Sequence, residues 1–398
     1  MTGDDPVLRI APPPFLREPS LASVLAALPE ARVVGGAVRD ALAERPVTDI
    51  DLATPRTPGQ VTAALQAAGM RAVPTGLDHG TVTAVAGGRG FEVTTLRRDV
   101  ETDGRHARVA FTEDWRADAA RRDFTINALS LTRDGGVFDY FDGIADLHAG
   151  RLRFVGDPVA RMAADYLRIL RYFRFFARYA SGPPDASAVA AIRAGVPGLA
   201  ALSVERVWKE LEGILAAPDP RDAIALMDTT GVLRAVLPEG SDVGRLARLV
   251  AAGAPADRLL RLAALLTGAT TALADRLRLS SAERERLMGL RSGPVPHPRD
   301  DDAALRRLLA DETAEMLIDR CWLAGDAGEE WAALRMRVAA LPRPVFPLEG
   351  RDVLALGVAE GKRVGVLLRA VRTWWLDGGC IATPEACRAE LARRIGSA

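Results

Sequence analysis

The sequence predicts an α+β head followed by an all-helical remainder. Up to about residue 155, short β-branched runs alternate with short helical patterns. From Asp157 onward the strand patterns stop, and Ala-, Leu- and Arg-rich helical segments take over. The length, 398 residues, exceeds one ordinary core and asks for several domains.

In the head, "ARVVGG" (31–36) is a β-branched run ending in two glycines, and "AVRDALAE" continues it as a short helix. "VTDIDLAT" (47–54) alternates as a strand. "TPGQVTAALQAAG" reads as a helix with Thr57 as cap, Pro58 at its first position and Gly69 as stop. "HGTVTAVAG" (79–87) and "GFEVTTLR" (90–97) are two strands joined by a glycine-rich turn. The charged stretch 97–114, "RRDVETDGRHARVAFTED", reads as a mobile loop. "LSLTRDGGVFDYF" (129–141) reads as a hairpin around Asp134-Gly135. The helical part breaks where Pro, Gly and Asp cluster, at 181–187, 216–222, 237–242, 291–301 and 341–350. No repeat of fixed period runs through it.

Composition narrows the class. Nearly half the residues are apolar, at 48%, which suits a globular protein rather than a disordered one. No apolar run reaches eighteen residues, so no membrane span is expected. The start, "MTGDDPVLRIAPPPF", is acidic and proline-broken, unlike a secretory signal. Cys321, Cys380 and Cys387 are few, odd in number and without metal-ligand spacing; they read as reduced thiols of a cytoplasmic protein, with no disulfide and no zinc site. His79, His106, His148 and His297 lie far apart, which argues against a histidine metal centre. The formal net charge is zero, so any basic surface for a nucleic acid must be local. Only Lys209 and Lys362 among 52 basic residues are lysine, so an arginine carries information only at a chemically meaningful spacing.

Three stretches have such spacing. In "GGAVRDALAERPVTDIDLATP", Asp49 and Asp51 stand at i and i+2, about 6.7 Å apart on one face of a strand. Two carboxylates side by side repel, and a divalent cation resolves the repulsion. Mg²⁺ takes a few carboxylates and keeps positions for water and phosphate oxygens. The bland alternative is a solvated strand end. Gly35 and Gly36 end a strand and open a helix, where backbone N–H groups approach a phosphate closely, and Arg39 adds charge one turn on. Glu92, in "FEVTTL", joins the aspartates if its strand neighbours theirs; a glutamate facing water fits it equally.

The second stretch, "RRDFTINAL", sets Arg121, Arg122 and Asp123 before an apolar segment. Arginine suits phosphate and aspartate a ribose hydroxyl, while Asp123 suits a helix cap just as well. The third, "DYLRILRYFRFFARY", repeats Asp165, Arg168, Arg171 and Arg174 every three residues on an expected helix, opposite Leu167, Ile169, Leu170, Phe173 and Phe176. Without context this is an amphipathic helix with a solvated arginine face. As a pair, Asp165 and Arg168 match adenine and cytosine, which each show an amino donor beside a ring-nitrogen acceptor. They mismatch guanine and uracil, where the pattern reverses. Arg171 and Arg174 remain for phosphate or for stacking.

Together these pieces, with "HGTVTAVAGGRGFEVTTLRRD" and "LSVERVWKELEGIL" (202–215), resemble the class II tRNA nucleotidyltransferases, the family of CCA-adding enzymes and bacterial poly(A) polymerases. The ordered match spans about residues 31–215, and "PLEGRDVLALGVAEGKRVGVLLRAVRTWWLDG" resembles the family's end more weakly. The resemblance implies a nucleotidyltransferase head with a mixed sheet (30–155) after an N-terminal arm and first helix (1–29), then a helical neck (156–240), body (241–345) and tail (346–398). It implies Asp49 and Asp51 as Mg²⁺ ligands and catalytic residues. Gly35, Gly36 and Arg39 would take the nucleotide phosphates, Arg122 and Asp123 its sugar and phosphate region. Asp165 and Arg168 would be the amino-acid template, with Arg171 and Arg174 beside them. The reaction implied is in-line attack of a tRNA 3′-hydroxyl on CTP or ATP. One departure stands out: Ala164 occupies the place where the family's template motif usually has glutamate. A poly(A) polymerase or a CC- or A-adding enzyme shares the same residues. An RNA-binding protein without catalysis has no use for clustered acids, and a small-molecule nucleotidyltransferase has none for so long a helical extension. Gly357, Gly361 and Gly365, at four-residue spacing, read as turns and close helix packing, since no apolar 20-mer surrounds them.

Overall fold

The computed structural model describes residues 5–76, 80–102 and 107–396. The chain forms two compact units, Met1–Pro238 and Glu239–Ala398.

The first unit is built on an eight-stranded mixed sheet. Its strands are β1 (Leu8–Arg9), β2 (Arg32–Val34), β3 (Asp51–Thr54), β4 (Arg71–Gly76), β5 (Thr81–Ala86), β6 (Arg89–Thr95), β9 (Ser130–Leu131) and β10 (Gly136–Phe138), in the order β1-β10-β9-β2-β3-β6-β5-β4. β3 is antiparallel to β2 and parallel to β6, and Asp51 stands directly opposite Glu92. The strand expected within "HGTVTAVAG" forms as β5, and every second residue of it is buried. The tight turn to β6 uses Gly87 and Gly88, both at positive φ.

Helices α1 (Pro19–Ala27), α2 (Gly36–Leu42) and α3 (Pro58–Ala67) cover the sheet. Their Leu21, Val24, Val38, Val61 and Leu65 join Val33, Leu52, Val82, Phe91 and Val93 in one core. In α3, the Gln60 side chain accepts from the Thr57 N–H, as a capped start requires.

Several expectations need correction. Residues 97–102 and 107–111 form a two-stranded ribbon, β7 (Arg97–Thr102) with β8 (Ala107–Phe111), not a loop; residues 103–106 lie outside the described residues, as does His79. Charge had masked a strand pair whose backbone needs are met within the ribbon. The D-x-D strand begins at Asp51, so Asp49 lies in the loop before it, with buried Ile50 between the two carboxylates. The arm contributes β1, held by β10, and β4 was not foreseen either.

α4 (Trp115–Ala120) precedes β9, and after β10 come α5 (Gly143–His148), α6 (Pro158–Ala164), α7 (Leu167–Tyr179), α8 (Ala186–Gly195), α9 (Val204–Leu215), α10 (Arg221–Thr230) and α11 (Val232–Val236). Asp165 was expected on a helix with the three arginines. It sits instead in the break between α6 and α7, with extended backbone, and its Oδ1 accepts from the Leu167 N–H. Aspartate competes with the backbone for hydrogen bonds and so favours helix starts over helix interiors. α7 buries Leu167, Ile169, Leu170, Tyr172, Phe173, Phe175 and Phe176, and leaves its arginines on the opposite side.

The second unit is helical, with helices α12 (Val243–Ala251) through α21 (Pro384–Gly396). The breaks expected from sequence fall between helices: 237–242 precedes α12, 291–301 precedes Asp302–Asp311, and 341–350 precedes Gly350–Ala355. Separate apolar clusters form around Leu305, Leu317 and Leu334, and around Val353, Val371 and Trp375.

One buried carboxylate ties the segment after Asp123 to α5. Asp146 is fully buried and accepts from Thr125 Oγ1 (2.7 Å), Arg151 Nε (2.6 Å) and Arg153 Nε (2.7 Å). Asp146→Ala leaves these donors without their acceptor and is expected to cost about 2–3 kcal/mol, read as a lower urea midpoint. Asp146→Asn, which keeps an acceptor, is expected to lose less. An unchanged midpoint in both would show that this carboxylate holds nothing in place.

Candidate active site

A cleft of about 940 Å³ opens in the first unit. Gly35, Gly36, Arg39, Asp49, Asp51, Arg122, Asp123, Asp165, Arg168, Arg171 and Arg174 all line it. These residues come from three stretches of sequence, and the fold gathers them in one place. Glu92 is not in the lining; it stands beside Asp51 on the neighbouring strand.

The sheet side of the cleft begins with a turn that only glycine serves well. Gly35 has φ +69°, and a Cβ there would lie 2.9 Å from Arg122 Nη1. The turn starts α2 and brings Arg39 to a fixed position. Arg39 is 7% exposed. Its Nε and Nη2 donate to the two oxygens of Asp40 (3.0 and 2.9 Å), and its Nη1 donates to Asn127 Oδ1 (2.6 Å). Arg122 donates to Asp118 Oδ2 and to the Asn127 carbonyl, both at 3.4 Å.

The carboxylates are in conflict. Burial pushes the Asp51 carboxyl above its ordinary pKa; Glu92 and, less strongly, Asp49 push the same way, against Arg122. A divalent cation would relieve this, and oxygen donors fit Mg²⁺. Among the described residues no three His, Cys, Asp or Glu side chains form a complete metal site. Two aspartates would supply only part of a coordination sphere, and water and phosphate oxygens would have to complete it.

The helical side is cationic but anchored. Asp123 Oδ2 accepts from Arg171 Nε (2.8 Å) and Nη2 (2.5 Å), and its Oδ1 accepts from the Phe124 N–H (2.9 Å) and Asn127 Nδ2 (3.0 Å). Burial alone would raise the Asp123 carboxyl; Arg171 and then the other donors outweigh it and hold it below the usual range. With four acceptor positions filled, a sugar hydroxyl would have to displace one of these donors. Arg174 Nε donates to Glu210 Oε2 (2.6 Å), and Gly213 lets the arginine stem pass, since a Cβ there would lie 2.6 Å from Arg174 Cδ. Asp165 Oδ2 accepts from Arg206 Nη2 (2.6 Å), and Arg168 Nη1 donates to the Arg161 carbonyl (2.7 Å). Asp165 keeps acceptor positions, and Arg168 donors, beyond these bonds.

Sequence reasoning missed Asp40, Asn127, Arg206, Lys209 and Glu210. Arg206, Lys209 and Glu210 are i, i+3 and i+4 on α9, a spacing that marks one face. Glu210 is 6% exposed, and a buried acid in an amphipathic helix needs a cationic partner. Asn127 lay inside "RRDFTINAL" and carried no sign of its bonds to Arg39 and Asp123.

Comparison with known proteins gives two matches to family models. Residues 31–153 match the poly A polymerase head domain, and 184–243 the probable RNA and SrmB-binding site of polymerase A. The mitochondrial CCA tRNA nucleotidyltransferase 1 of Mus musculus is 38% identical over 369 residues, covering 88% of this chain and 83% of that protein. A CCA-adding enzyme of Streptococcus pyogenes is 41% identical over 211 residues, 52% of this chain and 51% of that one. The crystal structure of a Bacillus stearothermophilus CCA-adding enzyme in complex with CTP superposes with a TM-score of 0.75 at 26% identity, covering 96% of this chain and 98% of that one.

The carboxylate conflict has a measurable consequence. A folded-state pKa above the ordinary 3.8 means that ionised Asp51 costs stability. The cost is absent below pH 3.8 and grows as pH rises through the folded value. At pH 7 in a chelator, Asp51→Asn is expected to raise the melting temperature slightly, with the gain shrinking toward pH 3.8. It is also expected to abolish the rise that the unmodified chain gains from Mg²⁺. A Mg²⁺-induced rise of equal size in both proteins would remove Asp51 from the metal site.

Proposed function

The chain belongs to the family of CCA tRNA nucleotidyltransferases and poly(A) polymerases, and we propose that it adds CCA to the 3′ end of tRNA, using CTP and ATP and releasing pyrophosphate. The observation that carries this is one cleft holding both the Asp49/Asp51 pair and the Asp165/Arg168 pair. The 38% identity to a CCA tRNA nucleotidyltransferase, over 83% of its length, supports CCA addition within the family.

In this reading the cleft chooses the nucleotide without a nucleic-acid template. Asp165 accepts the exocyclic amino proton of adenine or cytosine, and Arg168 donates to the adjacent ring nitrogen. Arg206 and the Leu167 N–H keep the Asp165 carboxylate turned toward the cleft, and the Arg161 carbonyl does the same for Arg168. Arg39, Arg122 and the backbone N–H of Gly36 bind the triphosphate, while the Gly35 N–H donates to the Leu129 carbonyl (3.1 Å) and Gly35 serves the turn. Arg122 and Asp123 lie at its sugar and phosphate region, Asp123 mainly by fixing Arg171. Arg171 and Arg174 sit beside the base. Asp49 and Asp51 would hold Mg²⁺, and the bound ion would supply Lewis acidity to the attacking 3′-hydroxyl and positive charge to the leaving pyrophosphate.

The helical modules hold the tRNA by shape and backbone contacts. The division is head 30–155, neck 156–240, body 241–345 and tail 346–398, after the arm at 1–29. No helix among the described residues is long and apolar enough to cross a membrane. Three buried free cysteines support a reducing, cytoplasmic location, although the mammalian relative is named mitochondrial.

The deciding assay supplies Mg²⁺, a tRNA transcript without its CCA end, and each nucleotide singly or CTP with ATP. Three added nucleotides that require both substrates are expected. A long ladder from ATP alone would make the protein a poly(A) polymerase, and addition of only two Cs or one A a partial enzyme. Asp51→Ala is expected to lower the rate by at least about 10³-fold with the fold intact by circular dichroism. A rate near that of the unmodified chain would sink the two-carboxylate mechanism.

A further inference from the structure

Tyr179 closes α7, eleven residues beyond Arg168. At 1.5 Å per residue the two are about 16 Å apart along the helix. The proposed function uses only the beginning and middle of this helix, yet its last residue makes a specific set of contacts. The Tyr179 hydroxyl donates to Asp40 Oδ1 at 2.8 Å. The same Asp40 oxygen accepts from Arg39 Nε. The Arg39 guanidinium lies over the Tyr179 ring at 4.2 Å from its centroid, and over the Phe175 ring at 5.1 Å. Arg45, from the turn after α2, also lies over the Tyr179 ring, at 4.5 Å.

Tyr179 thus touches both members of the Arg39–Asp40 pair. Asp40 and Asn127 take one proton from each nitrogen of Arg39, so the guanidinium plane is set by those acceptors and by the ring beneath it. Asp40 needs its own anchor, because a carboxylate free to rotate would carry the guanidinium with it. The Tyr179 hydroxyl supplies that anchor from another part of the chain. Burial raises the Tyr179 pKa, and the bond to Asp40 adds to it while Arg39 opposes, so the hydroxyl remains a donor across the neutral range.

We propose that Tyr179 is a positioning residue for the triphosphate. It fixes Arg39 through Asp40 and through its ring, and so sets the phosphate-binding guanidinium relative to the base-reading residues at the other end of α7. This makes α7 a rigid spacer between base recognition and phosphate recognition. Its apolar face is held by Phe124, which packs against Tyr172 and Phe175 with ring centroids 6.1 and 5.1 Å away. The inference rests on the reading of Arg39 as a phosphate ligand.

The test uses the full chain, tRNA transcripts ending at the discriminator base or at the second C, and CTP or ATP as the varied substrate. Tyr179→Phe keeps the ring and loses the bond to Asp40; Tyr179→Leu loses both. The KM for CTP and for ATP is expected to rise about threefold in Tyr179→Phe and about tenfold or more in Tyr179→Leu, with kcat within about twofold and the KM for tRNA unchanged. Arg39→Ala, measured alongside, is expected to raise both nucleotide KM values further. If Arg39→Ala leaves them unchanged, the phosphate reading itself fails. If Arg39→Ala raises them but folded Tyr179→Phe and Tyr179→Leu do not, the positioning role fails. A variant that merely unfolds would lower the active fraction in a burst titration without moving either KM, and Tyr179→Phe, which preserves the packing, then decides the matter.

Discussion

The cleft depends above all on the paired bond between Asp123 and Arg171. Asp123 belongs to the segment that follows the sheet's covering helices, and Arg171 to α7. Asp123 is buried while Arg171 stays about one-third exposed, so it is the carboxylate that cannot be left without its partner. Directly beside the pair, Phe124 packs among Phe154, Tyr172 and Phe175. Apolar packing brings the two parts together, and the charged bond sets their register. Asn127 extends the arrangement by donating to Asp123 and accepting from Arg39, so one asparagine connects the sheet side of the cleft to the helical side.

A cleft with this many arginines must also hold them apart. The structure does so by giving them different acceptors: Arg171 pairs with Asp123, Arg174 with Glu210, Arg206 with Asp165, and Arg168 uses the Arg161 carbonyl. Each bond orients a guanidinium without using all its donors. The result is a preorganised cationic wall opposite carboxylates that repel one another. Such a site favours a ligand bearing several negative charges together with a divalent cation, as a nucleoside triphosphate with Mg²⁺ does.

Ala164 takes on meaning in this setting. It ends α6, next to the break that holds Asp165. With no carboxylate at 164, Arg168 is steadied by a helix-terminal carbonyl and Asp165 by an arginine from α9. Asp165 and Arg168 are thus supported by backbone and by another helix rather than by their immediate neighbour.

By itself the sequence determined the fold class, the main helix breaks and the identity of the cleft's main residues. These are legible because they depend on local rules. Glycine pairs make turns, strand and helix periodicity show which face is apolar, and proline and aspartate clusters end helices. Only the tertiary structure decided which arginine meets which acid. Asp123 and Arg171 are 48 residues apart, Tyr179 and Asp40 are 139 apart, and no local pattern links such partners. It also decided that Asp165 lies before its helix rather than on it, and that 97–102 and 107–111 are a strand pair rather than a loop. In both, the outcome turned on where backbone groups find hydrogen-bond partners, and those partners exist only once the chain has folded.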